Sequence, residues 1–213
     1  MKPCSILLAD DHAVVLEGLR RILGQPGFEV VGAVRDGRAL IEAAAALRPD
    51  IIITDVSMPS LNGVEAAREI RKQRRPPKII FLTMRPEVIY AVEAIKAGGS
   101  AYVLKSSAGD ELITAIREVL NGRVYVTPSI AAPVMVALRA RSTTSQETGD
   151  GLTARQRQVL QLLAEGQAAK EIAALLNVSY KTVEFHKSGI KQKLGLRTVA
   201  ELAGYAVKRG IIA

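Results

Sequence analysis

The sequence of 213 residues predicts an open parallel α/β sheet followed by a small all-helical domain. Short β-branched apolar runs alternate with helical patterns over the first half of the chain, which favours βα units with right-handed crossovers. A segment rich in Ser, Thr and Gly, RSTTSQETGDG, then precedes four short helical patterns. We therefore predict an α/β domain at residues 1–122, a linker with a short helix at 123–150, and a helical domain at 151–213.

Five βα units account for residues 1–122. The strands are predicted in the apolar runs SILLADD, FEVVGAV, PDIIITD, KIIFLT and AYVLK, most of which end at turn or charged residues. Helices are predicted after each strand, most of them ended by Gly or Pro, at residues 13–23, 38–47, 63–73, 86–97 and 107–120. The expected strand order is 2-1-3-4-5, as in flavodoxin-like sheets.

The helical domain is predicted to contain four helices, at residues 154–165, 168–176, 179–194 and 198–208. Thr153 is a candidate N-cap for the first helix, and Gly195 ends the third. A tight turn at 177–179 joins the second helix to a third that carries several lysines. This arrangement is typical of a helix-turn-helix whose second helix enters the DNA major groove.

The charge of the chain is concentrated at one end. The formal net charge of the chain is +8, and residues 150–213 carry ten basic and five acidic side chains. This excess favours a polyanionic partner, although a basic helix face can also be merely solvated.

No stretch approaches the length of a transmembrane span or resembles a signal peptide. The single cysteine, Cys4, rules out an internal disulfide and suits a reducing cytoplasm, so we expect a cytoplasmic protein without a membrane partner.

Five polar residues follow or end the predicted strands: Asp10, Asp11, Asp55, Thr83 and Lys105. Because the carboxyl ends of parallel strands meet at one edge of a sheet, we expect these side chains to converge. Mg²⁺ prefers carboxylate oxygens, and a metal, an ammonium and a hydroxyl together suit a phosphoryl group in transfer. Asp55, after the central strand, is the candidate nucleophile. The alternative interpretation is a set of solvated charges at strand ends.

At these positions residues 5 to about 120 resemble the receiver domain of bacterial two-component response regulators. The resemblance rests on LLADDH, ITDVSMPSLNG, FLT and AYVLK, including Met58, Pro59 and Gly63 after Asp55. It implies that Asp55 is phosphorylated and that Asp10, Asp11, Asp55 and the backbone carbonyl of Ser57 bind Mg²⁺. It also implies that Thr83 and Lys105 contact the phosphoryl oxygens, and that Tyr102 moves inward when Thr83 shifts.

Residues 152 to about 207 resemble the LuxR-type helix-turn-helix of NarL/FixJ-family response regulators. The matching strings are LTARQRQVLQLLAEG, KEIAALLNVSYKTVEFHKSGIKQKLG and AELAGYAV, with Gln156 and Gln158 where that family commonly has acidic residues. The resemblance places base-facing side chains at Glu184, Phe185 and Ser188, and phosphate contacts at Lys181, Lys187 and Lys191. Thr182 is a candidate for a phosphate contact or a helix cap.

Together these features predict a transcription factor controlled by phosphorylation. A sensor histidine kinase is expected to phosphorylate Asp55, the chain to form a homodimer on activation, and the dimer to read two half-sites of double-stranded DNA about 34 Å apart or a multiple of that. RNA polymerase is a further candidate partner. Two alternatives remain open: an Mg²⁺-dependent phosphotransferase acting on a small substrate, for which the short loops leave no room, and a DNA-binding regulator whose receiver works without phosphorylation.

Overall fold

A computed structural model of the protein describes residues 3–140 and 151–212. The chain divides into two compact units, Met1–Thr143 and Thr144–Ala213. Most of the segment RSTTSQETGDG, residues 141–150 of the predicted linker, lies outside the described residues. None of the helices in the described ranges is long and apolar enough to cross a membrane.

The first unit is built on one parallel sheet of six strands. The order is β2-β1-β3-β4-β5-β6, which confirms the predicted order of the first five strands and adds a sixth. The central strands are buried on both faces, as their unbroken apolar runs indicate. The strands are β1 (Cys4–Ala9), β2 (Phe28–Val34), β3 (Ile51–Thr54), β4 (Lys78–Thr83), β5 (Ala101–Leu104) and β6 (Tyr125–Val126).

Six helices cover the two faces of this sheet. They are α1 (Ala13–Ile22), α2 (Gly37–Leu47), α3 (Gly63–Ile70), α4 (Val88–Lys96), α5 (Ala108–Leu120) and α6 (Pro128–Ala140). The apolar residues of α1 and α5 pack together on one face, and those of α2, α3, α4 and α6 pack on the other. The side chains of Asp36 and Asn62 accept backbone hydrogen bonds at the N-termini of α2 and α3, satisfying donors that a helix leaves unpaired.

The segment after α5 differs from the prediction. We predicted a linker with a short helix at residues 123–150. A helix is present there as α6, but the structure pairs β6 with β5 and packs α6 beside α4. Ile130 and Val134 of α6 are 8% and 0% exposed, within the same core as α4. The apolar residues at helical spacing in α6 are therefore core residues of the first unit, and burial against α4 is the physical reason for the difference.

The second unit contains four helices around its own core. They are α7 (Ala154–Ala164), α8 (Ala169–Leu175), α9 (Tyr180–Leu194) and α10 (Val199–Lys208). The side chains of Thr153, Ser179 and Thr198 each accept a backbone hydrogen bond at the start of a helix. Gly195, with φ of 67°, ends α9 in the left-handed conformation that glycine adopts without strain. Asn177 adopts a positive φ in the turn between α8 and α9, as asparagine tolerates well.

Candidate functional site

The five polar residues predicted to converge lie at the carboxyl edge of the sheet, where Asp11 is the exposed member. Asp10 follows β1 and Asp55 follows β3, directly after the paired residues Ala9 and Thr54. Thr83 is the last residue of β4, and Lys105 follows β5. Asp10 and Thr83 are each only 1% exposed and Asp55 is 6% exposed. The sheet register therefore turns residues spread over half of the sequence into one buried polar cluster.

Lys105 bridges the two buried carboxylates. Its Nζ lies 2.7 Å from Oδ2 of Asp10 and 2.5 Å from Oδ2 of Asp55, and its side chain is 10% exposed. Burial alone acts to lower the pKa of this lysine, but the hydrogen bonds to Asp10 and Asp55 outweigh it and raise the pKa above its ordinary value. Lys105 is therefore held as an ammonium ion between the two carboxylates.

The cluster carries more negative than positive charge. Ligand atoms of Asp10, Asp11, His12 and Asp55 all lie within 4.8 Å of one another. His12 places Nδ1 at 2.9 Å from Oδ1 of Asp11 and 3.3 Å from Oδ1 of Asp10. Burial, with a smaller contribution from the charge of Asp10, raises the pKa of Asp55 although Lys105 acts to lower it. Three carboxylates and one lysine at this edge leave an excess of negative charge, which makes the edge attractive to a cation.

The loop after Asp55 is closely packed against the strand end. A Cβ on Gly63 would come within 1.9 Å of the backbone carbonyl oxygen of Asp55, so any other residue at the start of α3 would push the loop away. The backbone N–H of Ser57 donates to Oδ1 of Asp55 at 3.3 Å. The Oγ of Ser57 is buried and has no hydrogen-bond partner within the described residues. The loop thus fixes the orientation of the Asp55 carboxylate.

Thr83 and Tyr102 meet at the loop between β4 and α4. Oγ1 of Thr83 accepts a hydrogen bond from the backbone N–H of Arg85 at 3.2 Å. Tyr102 is fully buried, and its hydroxyl donates to the backbone carbonyl of Arg85 at 2.7 Å. Burial raises the pKa of Tyr102 well above its ordinary value, so the phenol keeps its proton. In this structure the tyrosine ring is already inside the protein.

Sequence reasoning missed two features of this edge. The backbone carbonyl of Arg85 as acceptor for Tyr102 was not predicted, because a carbonyl acceptor leaves no mark in residue type. The contacts of His12 were also not predicted: its ring nitrogen lies within hydrogen-bonding distance of the carboxylates of Asp10 and Asp11. Its position directly after the acidic pair was the only available signal.

In the second unit, an exposed stripe runs along α9. Lys181, Phe185, Ser188 and Gln192 are all exposed and follow the spacing of one helix face. Phe185 is 75% exposed, which is unusual for a large apolar side chain. Val183 and Ile190, by contrast, are fully buried in the core of the unit. Three of the seven predicted DNA-contacting residues therefore lie on one solvent-facing stripe.

The other four predicted DNA-contacting residues are half-buried: Thr182, Glu184, Lys187 and Lys191. The structure pairs Glu184 with Lys187, whose Nζ lies 3.1 Å from Oε1 of the glutamate. The N–H of Thr182 donates to Oγ of Ser179, the residue that caps α9. His186 packs edge-to-face against Phe185, and burial followed by the charge of Arg155 lowers its pKa.

Two family models match the chain. The model described as "Response regulator receiver domain" covers residues 6–117, and the model described as "Bacterial regulatory proteins, luxR family" covers residues 150–206. The chain belongs to the NarL/FixJ family of response regulators. The regulator is thus a transcription regulator of the two-component type, with a receiver domain and a DNA-binding helix-turn-helix.

Curated relatives resemble the regulator along its whole length. The oxygen regulatory protein NreC of Staphylococcus epidermidis is 36% identical over 214 residues, which span 97% of this chain and 98% of that protein. The transcriptional regulatory protein DegU of Brevibacillus brevis is 31% identical, over 96% of this chain and 93% of that protein. Both similarities extend across the receiver and the helix-turn-helix together.

A solved structure has the same fold. A structure of the RcsB response regulator of Salmonella typhimurium, described in terms of conformational dynamism for DNA interaction, is 30% identical to the regulator. It superposes with a TM-score of 0.67 over 98% of this chain and 99% of that chain. A further structure shows two RcsB dimers bound to two parallel DNAs, with 28% identity and a TM-score of 0.59 over 98% of this chain and 99% of that chain.

Proposed function

We propose that the regulator controls transcription through phosphorylation of Asp55. The observation that carries the proposal is the buried cluster itself, in which one ammonium ion bridges two carboxylates while a third carboxylate stands beside them. Aspartate can accept a phosphoryl group as an acyl phosphate. Asp55 is the candidate acceptor, because it follows the central strand β3 and contacts Lys105. Thr83 ends the neighbouring strand β4 at the same edge of the sheet.

Mg²⁺ is the proposed cofactor. The side chains that would hold it are Asp10, Asp11 and Asp55, with the backbone carbonyl of Ser57 as a further ligand. The donor set fits, because clustered carboxylate oxygens with an excess of negative charge are what a hard divalent cation prefers. When bound, the metal would neutralise charge that develops on a transferring phosphoryl group.

The chain's own residues have distinct proposed roles in the transfer. A sensor histidine kinase supplies the phosphoryl group: a carboxylate oxygen of Asp55 bonds to phosphorus, and the bond between phosphorus and the donor's imidazole nitrogen breaks. The Lys105 ammonium and the Thr83 hydroxyl then bind phosphoryl oxygens. Because Oγ1 of Thr83 also accepts from the backbone N–H of Arg85, a movement of Thr83 towards the phosphoryl group would displace the loop whose carbonyl accepts the Tyr102 hydroxyl. No turnover of an external substrate is expected.

DNA recognition is assigned to the helices of the second unit, and we propose residues 151–213 as the DNA-binding domain. The exposed side chains of Phe185 and Ser188 on α9 are proposed to face the major groove, with Lys181, Lys187, Lys191 and Thr182 contacting phosphates. Glu184 could accept from a cytosine amine once its pairing with Lys187 opens. As RcsB dimers are found on DNA, a homodimer of the regulator is proposed to bind two half-sites.

Phosphorylation can be tested directly on the full chain. Purified protein is incubated with acetyl phosphate, a small phosphodonor, and Mg²⁺, and the intact mass is measured before and after. Wild type is expected to gain one phosphoryl group, and the Asp55→Asn variant none. Incorporation by the variant at the wild-type level would contradict the assignment of Asp55. No incorporation by either protein would favour a receiver that works without phosphorylation.

A further inference from the structure

A buried hydrogen-bond network joins the functional end of β5 to the start of α6. Thr127 is 3% exposed and stands between β6 and α6. Its Oγ1 accepts a hydrogen bond from the backbone N–H of Leu104 at 3.1 Å and donates to Oε2 of Glu111 at 2.8 Å. Its backbone N–H donates to the carbonyl of Tyr102 at 3.0 Å. One residue therefore grips β5 at two points.

The two residues of β5 that bond to Thr127, Leu104 and Tyr102, adjoin or belong to the proposed phosphorylation site. Leu104 directly precedes Lys105, whose ammonium holds Asp10 and Asp55. Tyr102 carries the hydroxyl that bonds to the loop after Thr83. A displacement of this strand end, as Lys105 exchanges a carboxylate for a phosphoryl oxygen, would reach Thr127 through two hydrogen bonds.

Glu111 of α5 completes the network. Its Oε2 also accepts from the Tyr125 hydroxyl at 3.1 Å, and burial together with this bond raises the pKa of Tyr125 to about 12. Tyr125 therefore remains a neutral donor near neutral pH. The Thr127 hydroxyl must accept and donate at once, which a serine can also do and a valine cannot.

From Thr127 the path continues into α6. The backbone N–H of Ile130 donates to the carbonyl of Thr127 at 3.0 Å in the first turn of that helix. Ile130 and Val134 then pack in the core that also contains Tyr90 and Ala94 of α4. The helix α6 is thus connected to β5 through Thr127, the residue that precedes it, and packs against α4 through its apolar face. Along the chain, only residues 141–150 separate α6 from the DNA-binding unit.

We propose that Thr127 is a positioning residue that couples the phosphorylation of Asp55 to the packing of α6 and, along the chain, to the helix-turn-helix. This inference rests on the proposed function. Phosphorylation shifts the end of β5, the hydroxyl of Thr127 carries that shift to the first turn of α6, and the packing of α6 on α4 changes with it. Without the hydroxyl, phosphorylation of Asp55 still occurs but DNA binding no longer responds in full.

The test compares Thr127→Val with Thr127→Ser, a matched control that keeps the hydroxyl. Genomic DNA fragments retained by acetyl-phosphate-treated wild type serve as the probe, and their affinity for the full chain is measured with and without acetyl phosphate and Mg²⁺. Thr127→Val removes both hydrogen bonds of the hydroxyl. We expect it to incorporate phosphate as wild type does while its phosphorylation-dependent gain in affinity falls by about two- to tenfold, the size of one of these hydrogen bonds. Thr127→Ser is expected to keep the wild-type gain.

An unchanged gain in Thr127→Val would overturn the inference, because a merely structural role would lower stability and leave the ratio of the two affinities intact. If that variant does not fold, Thr127→Ala, which also lacks the hydroxyl, takes its place with the same expected loss, and a full gain there would also overturn the inference. Failure of the proposed function has a different signature: wild type itself would show no phosphate incorporation or no gain in DNA affinity.

Discussion

Replacing Lys105 by methionine removes the one ammonium ion that bridges the buried carboxylates. The side chain is 10% exposed, and its two partners, Asp10 and Asp55, are 1% and 7% exposed at their side chains. Methionine keeps the length of the aliphatic chain, so the substitution chiefly removes charge. It leaves two carboxylates close together in a site that already raises the pKa of Asp55 through burial.

The expected loss of stability is large for a single substitution. Removing one partner of a buried ion pair typically costs about 3–5 kcal/mol. We expect about 3 kcal/mol in the absence of divalent cations, at the lower end because an unpaired carboxylate can take up a proton. With a typical urea dependence of about 1–3 kcal/mol per M, the unfolding midpoint of the receiver should fall by about 1–3 M.

The pH dependence gives a second signature. A folded-state pKa of Asp55 above its ordinary 3.8 means that ionisation of this carboxyl costs stability, and that the cost disappears as pH falls below that ordinary value. The loss of unfolding free energy in Lys105→Met should therefore be largest at neutral pH and become smaller in acid. Lys105 in wild type stays charged at neutral pH, because its own pKa is raised.

Urea unfolding in EDTA, followed by circular dichroism, measures this loss. Lys72→Met is the matched control, because Lys72 pairs with Glu69 on the exposed surface, where such pairs contribute at most about 1 kcal/mol. Adding Mg²⁺ should recover part of the stability lost in Lys105→Met. A Lys105→Met protein as stable as the Lys72→Met control at neutral pH would refute the reasoning about the buried cluster.

Three further predictions concern the same two units. Asp55→Asn should raise receiver stability at neutral pH without divalent ions, since it removes a carboxyl whose ionisation is costly, and urea unfolding would contradict this by showing a loss. Ile190→Ala, at a fully buried position, should destabilise the helical unit by about 2–5 kcal/mol, and hydrogen exchange should place that loss in the second unit; equal loosening of the receiver would argue against independent cores. Lys181→Ala should lower the slope of log affinity for DNA against log salt concentration by about 0.9, as expected for one lost phosphate contact, and an unchanged slope would remove Lys181 from the interface.

Much of the receiver could be predicted because its strands are continuous apolar runs. Ile51, Ile52 and Ile53 are buried on both faces of the sheet, and an unbroken apolar run of this kind predicts a central parallel strand. Once the strands are parallel, their carboxyl ends must share an edge, so the clustering of Asp10 and Asp55 follows from topology alone.

The β6–α6 segment could not be predicted in the same way. A strand of two residues, Tyr125 and Val126, has no period to detect, and its place in the sheet depends on β5 being next to it. The apolar positions of α6 indicate a helix but not which surface buries them. The hydrogen bonds of Thr127 and the carbonyl that receives the Tyr102 hydroxyl are tertiary contacts, which residue type does not reveal.

On α9 the boundary between prediction and observation is different. Helical spacing separates Val183 and Ile190 from the exposed stripe, so the solvent-facing side of the helix was predictable. The ion pair between Glu184 and Lys187 was not predictable. Side chains three residues apart on a helix can reach each other, but each can also adopt rotamers that point elsewhere.

We expect a phosphoryl group on Asp55 to change how the second unit binds DNA. The most direct measurement is recovery and sequencing of genomic DNA fragments bound by the full chain, with and without acetyl phosphate and Mg²⁺, for wild type and Asp55→Asn in parallel. The phosphodonor should increase specific binding by wild type and leave binding by the variant unchanged. Equal binding by both proteins under both conditions would show that DNA binding does not depend on phosphorylation of Asp55.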